Sequence, residues 1–315
     1  MPTPLLQTIG LKKYFKTSKG VLHAVDDVNF TIEKGQTLGV VGESGCGKTT
    51  LGRTILRLTE PTEGRIMFDG RDVTHATGKD MHEFRKNAQI IFQDPSSSLN
   101  PRMSVGDLIA EPMKVMKTIT GKKALEERVY ELMNIVGLDD RFYVSYPHEL
   151  DGGRRQRIGV ARALALEPEF IVCDEPVSAL DVSIQAQILN LLMDLQDKMG
   201  LTYMFITHDL SVVKHISTDI AVMYLGQCIE KAPTDELFEK PLHPYTQALL
   251  QAIPVPNLKN RTIESTIKGE ISSPIDPKPG CRFATRCPFA KPECTGHELE
   301  LKEVAPNHFV KCVLV

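Results

Sequence analysis

The sequence predicts an α/β protein built on a doubly wound parallel sheet. Three observations predict this fold class: an apolar run leads into a glycine-rich loop and a helix, a second apolar run ends in two acidic residues, and further apolar runs alternate with helical periodicity. Strands that alternate with helices are typical of a parallel sheet covered on both faces. A chain of 315 residues has room for about two domains of ordinary size.

The first elements follow from short runs of apolar residues. From Leu5 to Ile32, mixed apolar and polar runs favour antiparallel strands with a turn near residues 16–20. Thr37 to Val41 then predicts a short buried strand. The glycine-rich loop follows directly, and apolar residues after it recur at the spacing of one helix face: Leu51, Ile55 and Leu58.

A helical subdomain is expected from about residue 94 to 157, where the sequence is rich in charge and has helical periodicity. Three prolines in this stretch are expected to break its helices: Pro101, Pro112 and Pro147. Beyond it, strands are predicted at residues 170–173, 203–206 and 220–224, and a helix is predicted from Ile184 to Gly200. The order of elements is that of an α/β domain with an inserted helical part.

The composition limits the classes of partner. The chain is 42% hydrophobic and 24% charged, close to the average of soluble globular proteins. Its net charge of -3 offers no general attraction to nucleic acid, so we expect no nucleic-acid partner. The N-terminus lacks the apolar core of a signal peptide, and no apolar run approaches the roughly 20 residues that span a bilayer. We therefore expect a chain that stays in the cytoplasm.

Residues 42–49, GESGCGKT, fit the pattern GxxxxGK[ST] of a phosphate-binding loop. Glycines let the backbone wrap around phosphates, and the following helix directs its N-terminus at the same anion. Lys48 would reach the β- and γ-phosphates of a nucleotide, and Thr49 would offer a hydroxyl to Mg²⁺. The residues expected to contact the nucleotide here are Gly42, Ser44, Gly45, Cys46, Gly47, Lys48, Thr49 and Thr50.

Two acidic residues end the apolar run at residues 170–173. An open α/β sheet places its ligands just beyond the carboxyl ends of its strands. Asp174 would hold Mg²⁺ through water, and Glu175 would orient or deprotonate the attacking water. Together with the phosphate loop, these acids predict a nucleotide hydrolase.

Between these two elements the sequence HELDGGRRQRIGVARAL resembles the ATP-binding subunits of ABC transporters. Residues 150–154, LDGGR, occupy the position of the LSGGQ-type signature of that family. The resemblance continues through Gln93 at the family's Q-loop, residues 178–181 (SALD) at its D-loop, and His208 at its switch histidine. It implies an ABC ATPase core with an antiparallel β subdomain and a helical subdomain.

The resemblance also implies roles for individual residues. Gln93 would contact Mg²⁺ and the attacking water, and His208 would hold the γ-phosphate and Glu175 in the reactive arrangement. Phe15 or Tyr14 would stack on adenine. In this family two chains sandwich two ATP molecules head to tail, so the signature residues Asp151 and Gly153 would face the nucleotide of a partner chain.

The signature departs from the family at Asp151, where a serine is expected. Two like charges about 4 Å apart repel by about 4 kcal/mol at an intermediate dielectric, on the order of a thousandfold in ATP-driven closure. Arg154 and Arg155 would partly offset this repulsion. We therefore expect an asymmetric heterodimer with a sister ATP-binding subunit. The alternative is a weakly hydrolysing regulatory partner, although Glu175 and His208 argue against it.

Several further stretches resemble the dipeptide and oligopeptide importer subgroup: FQDPSSSLNPRM, YPHEL, DEPVSALDVSIQAQILNLL, YLGQCIE and HPYTQALL. The resemblance implies an ATPase subunit at the cytoplasmic face of the membrane. Its partners would be two transmembrane permeases and an extracytoplasmic peptide-binding protein. The same subgroup includes nickel and glutathione importers, which stay open as alternatives. A soluble ABC ATPase that acts on DNA or ribosomes fits poorly.

Four of the seven cysteines lie near the C-terminus: Cys281, Cys287, Cys294 and Cys312. Their intervals are too long for a zinc finger, and four thiolates can bind either Zn²⁺ or an iron–sulfur cluster. The importer subgroup has similar tails associated with a [4Fe–4S] centre, so we expect a cluster, with zinc or unligated thiols as alternatives. We predict an ABC nucleotide-binding domain over residues 1–253 and a small cysteine-rich extension over 254–315.

Overall fold

The computed structural model describes residues 3–253 and 273–315, which fall into two compact units. The first unit combines the chain up to Ile32 with Gln36–Thr74 and the residues from Phe205 onward. The second unit combines Glu33–Gly35 with His75–Met204. The first part of the predicted extension, residues 254–272, lies outside the described residues.

The elements are named in chain order. The first half contains β1 (Leu6–Thr17), β2 (Gly20–Ile32), β3 (Thr37–Val41), α1 (Lys48–Ile55), β4 (Glu63–Phe68), β5 (Arg71–Asp72), α2 (Gly78–Asn87), β6 (Ala88–Ile91), α3 (Pro95–Ser98), α4 (Val105–Met116) and α5 (Lys122–Ile135). The second half contains α6 (Gly152–Leu164), β7 (Phe170–Asp174), α7 (Val182–Met199), β8 (Thr202–Ile206), α8 (Leu210–Ile216), β9 (Asp219–Tyr224), β10 (Gln227–Pro233), α9 (Thr234–Glu239), α10 (Pro244–Gln251), β11 (Lys302–Ala305) and β12 (His308–Val310). Short 3₁₀ turns lie at Asp140–Val144, Pro147–Glu149 and Pro292–Cys294.

The first unit contains an antiparallel sheet of order β2-β1-β4-β5 and strands of order β11-β12-β10-β9-β3. β3 runs parallel to β9, with Leu38 opposite Asp219, and every residue of β3 is buried. The antiparallel strands predicted between Leu5 and Ile32 are confirmed, with their turn at residues 18–19. A fully buried strand therefore ends directly before Gly42, the first residue of the phosphate-binding loop.

The second unit contains β6, β7 and residues 202–204 of β8, in the strand order β8-β7-β6, and most of the long helices. β6 runs parallel to β7, and all five residues of β7 are buried. The ends of α7 follow the sequence closely: the Asp181 carboxylate accepts a hydrogen bond from the Ile184 N–H at 3.1 Å, and Gly200 ends the helix at a φ of 66°. The predicted strands and helices of this part are confirmed.

The expectation that Pro112 breaks a helix is wrong, because α4 continues through it to Met116. A proline inside a helix costs about 3 kcal/mol through its missing N–H and its steric clash. Leu108, Ile109 and Met113 are fully buried on either side of it. Burial of side chains of this size contributes about 1.5–3 kcal/mol each, which outweighs the cost of the proline.

The C-terminal segment is more ordered than its sequence pattern suggests. β11 and β12 form a hairpin, and β12 adds to β10 with Val310 opposite Glu230. Phe283 and Val310 are 1% and 2% exposed, so this segment contributes to a core despite its few apolar residues.

Candidate nucleotide site

The phosphate loop connects β3 to α1, and packing requires glycine at two of its positions. Gly42 and Gly47 have φ values of 151° and 103°. A Cβ at Gly42 would lie 2.2 Å from the Met223 carbonyl oxygen, and one at Gly47 would lie 2.0 Å from that of Ala24. Because neighbouring backbone leaves no room for a side chain, these glycines determine the course of the loop.

The loop has the donors that a triphosphate needs. α1 begins at Lys48, and its N-cap residue Gly47 offers no side-chain hydrogen bond to the first turn. The Lys48 ammonium is almost fully buried and donates to the carbonyl oxygens of Gly42 at 2.7 Å and Glu43 at 3.1 Å. At Gly45 the space around a Cβ position is open to 4 Å. Main-chain N–H groups at a helix N-terminus beside a buried ammonium are a good match for phosphate oxygens.

The other predicted loop residues have different surroundings. Ser44 is exposed, whereas Cys46 is buried with its sulfur 3.9 Å from the Lys48 ammonium, and burial raises the pKa of its thiol. Thr49 is half-buried on the first turn of α1. The carbonyl of Thr50 accepts a hydrogen bond from the Thr54 hydroxyl at 2.7 Å.

In the second unit the structure brings Gln93 and Glu175 together. The Gln93 amide donates to a carboxylate oxygen of Glu175 at 3.0 Å. Asp174, the last residue of β7, is 3% exposed, and Glu175 follows it with a φ of 48°. The Ser178 hydroxyl donates to the Glu175 carbonyl at 3.1 Å. This turn holds a strained backbone conformation and orients a carboxylate that can accept a proton from water.

His208 lies in the first unit, in the loop between β8 and α8. Its side chain is exposed. The next residue, Asp209, caps α8 by accepting a hydrogen bond from the Ser211 N–H at 2.8 Å. Its role as the switch histidine stays a prediction.

The two candidate adenine-stacking residues differ in their availability. The Tyr14 ring stacks on His23 at a centroid distance of 3.9 Å, and its hydroxyl donates to Asp26. The Phe15 ring is 38% exposed, with the Lys13 ammonium 4.8 Å from its centroid. Of the two, Phe15 has the face that a base could cover.

The signature segment places Asp151 at the N-cap of α6. Its carboxylate accepts from the Arg154 N–H at 2.8 Å and pairs with the Arg154 guanidinium at 2.5 Å. At Gly153 a Cβ would lie 2.8 Å from the Ile184 side chain, so glycine permits close packing of α6 against α7. The expected offset of the Asp151 charge by Arg154 is therefore present, and the helix N-terminus adds to it.

The four cysteines of the C-terminal tail (residues 281–312) affect one another's pKa values. Burial and the nearby thiols of Cys312, Cys294 and Cys287 raise the pKa of Cys281 to about 11. Burial likewise raises the pKa of Cys287 and Cys312, again with neighbouring tail thiols contributing. Across residues 3–253 and 273–315, however, no group of three or more His, Cys, Asp or Glu side chains is arranged to hold a metal ion.

Sequence reasoning missed the residues that tie the tail to the loop. Arg286 forms a bidentate ion pair with Glu43, and Arg282 pairs with Asp26. Burial acts to raise the pKa of Asp26, but hydrogen bonds from Tyr14 and His23 and the charge of Arg282 outweigh it and lower the pKa. No local signal could have found these pairs, because 243 residues separate Arg286 from Glu43.

A glycine loop between a buried strand and a helix, together with an oriented carboxylate after a second buried strand, defines a phosphate-loop nucleotide-binding protein. The family model described as "ABC transporter" matches residues 25–178, and the one described as "Oligopeptide/dipeptide transporter, C-terminal region" matches residues 229–294. The chain belongs to the ABC transporter family, among its oligopeptide and dipeptide transport ATP-binding proteins.

Curated relatives match almost end to end. The chain is 51% identical to the oligopeptide transport ATP-binding protein AppF of Bacillus subtilis, covering 98% of this chain and 97% of AppF. It is 48% identical to the dipeptide transport ATP-binding protein DppF of Haemophilus influenzae, covering 98% and 96%. A solved dimer of the ATP-binding cassette MJ0796 in a post-hydrolysis state with ADP and Pi aligns at a TM-score of 0.66 and 26% identity, over 73% of this chain and 98% of that one.

Membership of this family makes the chain an ABC-type ATPase. In the part of the chain that the structure describes, none of the helices has the length and apolar character needed to span a bilayer.

Proposed function

We propose that the chain is the ATP-hydrolysing subunit that powers import of dipeptides or oligopeptides through an ABC transporter. The observation that carries the proposal is the hydrogen bond from Gln93 to the Glu175 carboxylate, just after a buried strand. The same chain has a phosphate loop in which the Lys48 ammonium donates to the Gly42 carbonyl. The names of its relatives, oligopeptide and dipeptide transport ATP-binding proteins, support the peptide class of solute.

Nucleotide binding is assigned to the loop and to Phe15. The N–H groups from Ser44 to Thr50 would hold the α- and β-phosphates, and Lys48 would leave its carbonyl partners to reach the β- and γ-phosphates. Thr49, Gln93 and Asp174 supply oxygen donors of the kind that Mg²⁺ prefers. Mg²⁺ held by these residues would supply positive charge next to the phosphate oxygens.

Hydrolysis is assigned to the oriented carboxylate. Glu175 would accept the proton of the attacking water, and the Gln93 amide keeps the carboxylate from turning away. His208 would hydrogen-bond the γ-phosphate and so fix the reactive arrangement.

The partners follow from the same family. A sister ATP-binding subunit would cover the phosphate loop with its own signature, while Asp151 and Gly153 of this chain would face the sister's nucleotide. Two permeases and an extracytoplasmic peptide-binding protein would complete the transporter, and this chain would lie at the cytoplasmic face of the membrane. The nucleotide-binding domain is proposed to comprise residues 1–253 and the extension 254–315.

We also propose that the tail thiols hold a [4Fe–4S] cluster rather than Zn²⁺. Two observations support the proposal: the four cysteines contribute to one another's pKa values, and the intervals between them in the sequence are longer than those of a zinc finger. Anaerobically purified protein should contain about four iron atoms per chain, and Cys287→Ser should lose them. Cys228→Ala, a buried cysteine outside the tail, is the matched control and should keep its iron. Stoichiometric zinc without iron would exclude the cluster.

Reconstitution tests the transport function. The full complex in proteoliposomes should take up labelled dipeptide only with ATP and binding protein, and Glu175→Gln in this subunit should reduce uptake. Nickel or glutathione uptake without peptide uptake would favour the alternative solutes. Full uptake with Glu175→Gln would favour a regulatory subunit over a hydrolysing one.

A further inference from the structure

We propose that Arg286 is a positioning residue for the phosphate loop, so that the C-terminal tail controls how tightly the protein binds ATP. The inference rests on the proposed function in one respect: the loop from Gly42 to Thr50 must bind the phosphates. It assigns to a residue far outside the nucleotide motifs a part in forming the nucleotide site.

The first step is the contact between the tail and the loop. The Arg286 guanidinium donates through its two terminal nitrogens to the two carboxylate oxygens of Glu43, at 2.8 and 3.1 Å. The two side chains are only 9% and 23% exposed. Bidentate, charge-assisted pairs that are shielded from water are strong and directional.

The second step is that Glu43 is held at three points. Its carboxylate binds Arg286, its N–H donates to the Tyr245 hydroxyl at 2.9 Å, and its carbonyl accepts from the Lys48 ammonium at 3.1 Å. The residue that Arg286 fixes is therefore bonded directly to the lysine expected to bind the phosphates. A shift of Glu43 would move both the start of the loop and this lysine.

The third step is that Arg286 lies in a well-packed part of the tail. It also donates to the Tyr224 hydroxyl at 3.3 Å. Phe283, three residues earlier in the tail, packs against the rings of Tyr224 and Tyr245 at centroid distances of 5.3 and 5.4 Å. Since all three rings are at most 1% exposed, the arginine is anchored in a core rather than attached to a mobile surface arm.

The charges of Glu43 and Arg286 determine whether loss of Arg286 weakens or strengthens ATP binding. Glu43 places a carboxylate in a loop that must bind a polyanion, and Arg286 neutralises it. Without Arg286 the carboxylate would repel the phosphates and would be free to move, and both effects weaken ATP binding. Removal of the Glu43 charge as well should relieve the repulsion between this carboxylate and the phosphates, and so recover the part of the lost affinity that is due to charge.

The test is equilibrium binding of trinitrophenyl-ATP with Mg²⁺ to the full chain, together with thermal unfolding of each variant. Arg286→Gln should bind about 10- to 100-fold more weakly. The double variant Glu43→Gln/Arg286→Gln should recover the part of that loss that is due to charge repulsion, but not the part that is due to positioning. Arg286→Lys should retain more affinity than Arg286→Gln because it keeps the charge. Lys278→Gln, at an exposed position just before the tail, is the control and should bind as the wild type does.

The outcomes separate the inference from the proposed function. Failure of the wild-type chain to bind MgATP would overturn the proposed function. The inference alone is overturned if Arg286→Gln binds the nucleotide as tightly as the wild type does. It is also overturned if the double variant binds as weakly as Arg286→Gln. If Arg286→Gln does not fold, Arg286→Lys decides: it keeps the charge but loses the bidentate contact with Glu43, so we expect weaker binding than in the wild type, and wild-type affinity would contradict us.

Discussion

The phosphate loop and the cysteine-rich tail, residues 281–312, acquire their structures in opposite ways. The loop is a run of consecutive residues whose glycines and lysine can be recognised without any other part of the chain. The tail is held by long-range pairs, such as Arg286 with Glu43 and His308 with Glu230. The contrast teaches that the reactive groups follow from local sequence, while the contacts that support them come from distant residues.

One buried carboxylate explains how the tail is attached. Glu230 is fully buried and accepts hydrogen bonds from the N–H groups of Leu242 at 2.7 Å and His243 at 3.0 Å. His308 of the terminal hairpin lies 2.8 Å from the same carboxylate. Because a buried charge is costly unless it is paired, these contacts join β10, the start of α10 and the hairpin into one structure.

The largest expected effect concerns the locally encoded chemistry. We expect Glu175→Gln to slow ATP hydrolysis by about 10²- to 10⁴-fold, because the amide cannot accept a proton from the attacking water. MgATP binding should persist, since the substitution keeps the shape of the side chain. Phosphate release and nucleotide binding, measured on the same preparation with the proposed sister subunit, check both expectations.

The matched control for this prediction is Glu169→Gln, an exposed carboxylate that precedes β7 and pairs with Lys34 on the surface. It should hydrolyse ATP at the wild-type rate. Hydrolysis by Glu175→Gln within about threefold of the wild type would contradict the assignment of the base, since a general base contributes about 100-fold or more.

The next effect tests the distant contacts of the tail. Glu230→Ala should lower the free energy of unfolding by about 3–5 kcal/mol, because it leaves His308 and the N–H groups of Leu242 and His243 without their acceptor. Glu239→Ala, exposed at the end of the neighbouring α9, should change it by less than about 0.5 kcal/mol. Urea unfolding at pH 7 measures both. Equal stabilities would mean that the tail does not depend on this carboxylate.

The smallest effect concerns the signature. Asp151→Ser should strengthen ATP-driven dimerisation with the proposed sister subunit by up to about tenfold, or about 1.4 kcal/mol. We expect less than the full repulsion of two charges because Arg154 already pairs with the carboxylate. Serine also caps helices well, so α6 should keep its start. Sedimentation in a Glu175→Gln background measures the dimer, and an unchanged dimerisation constant would refute the repulsion.

The extent of successful prediction follows the same division. β3, the phosphate loop, α1 and β7 were predictable because apolar runs and glycines act over a few residues. The helix break predicted at Pro112 was wrong because burial of its neighbours in α4 outweighs the free-energy cost of a proline inside a helix. The hairpin of β11 and β12 was missed because its partner β10 lies some 70 residues earlier in the chain.

The central claim is that the loop ending at Lys48 binds the triphosphate. The most direct measurement is equilibrium binding of MgATP to the full chain and to Lys48→Ala, with Lys34→Ala as the surface control. We expect the wild type and Lys34→Ala to bind alike and Lys48→Ala to bind about 10- to 100-fold more weakly, since a charged hydrogen-bond donor to the phosphates is lost. Equal binding by Lys48→Ala and the wild type would contradict the account.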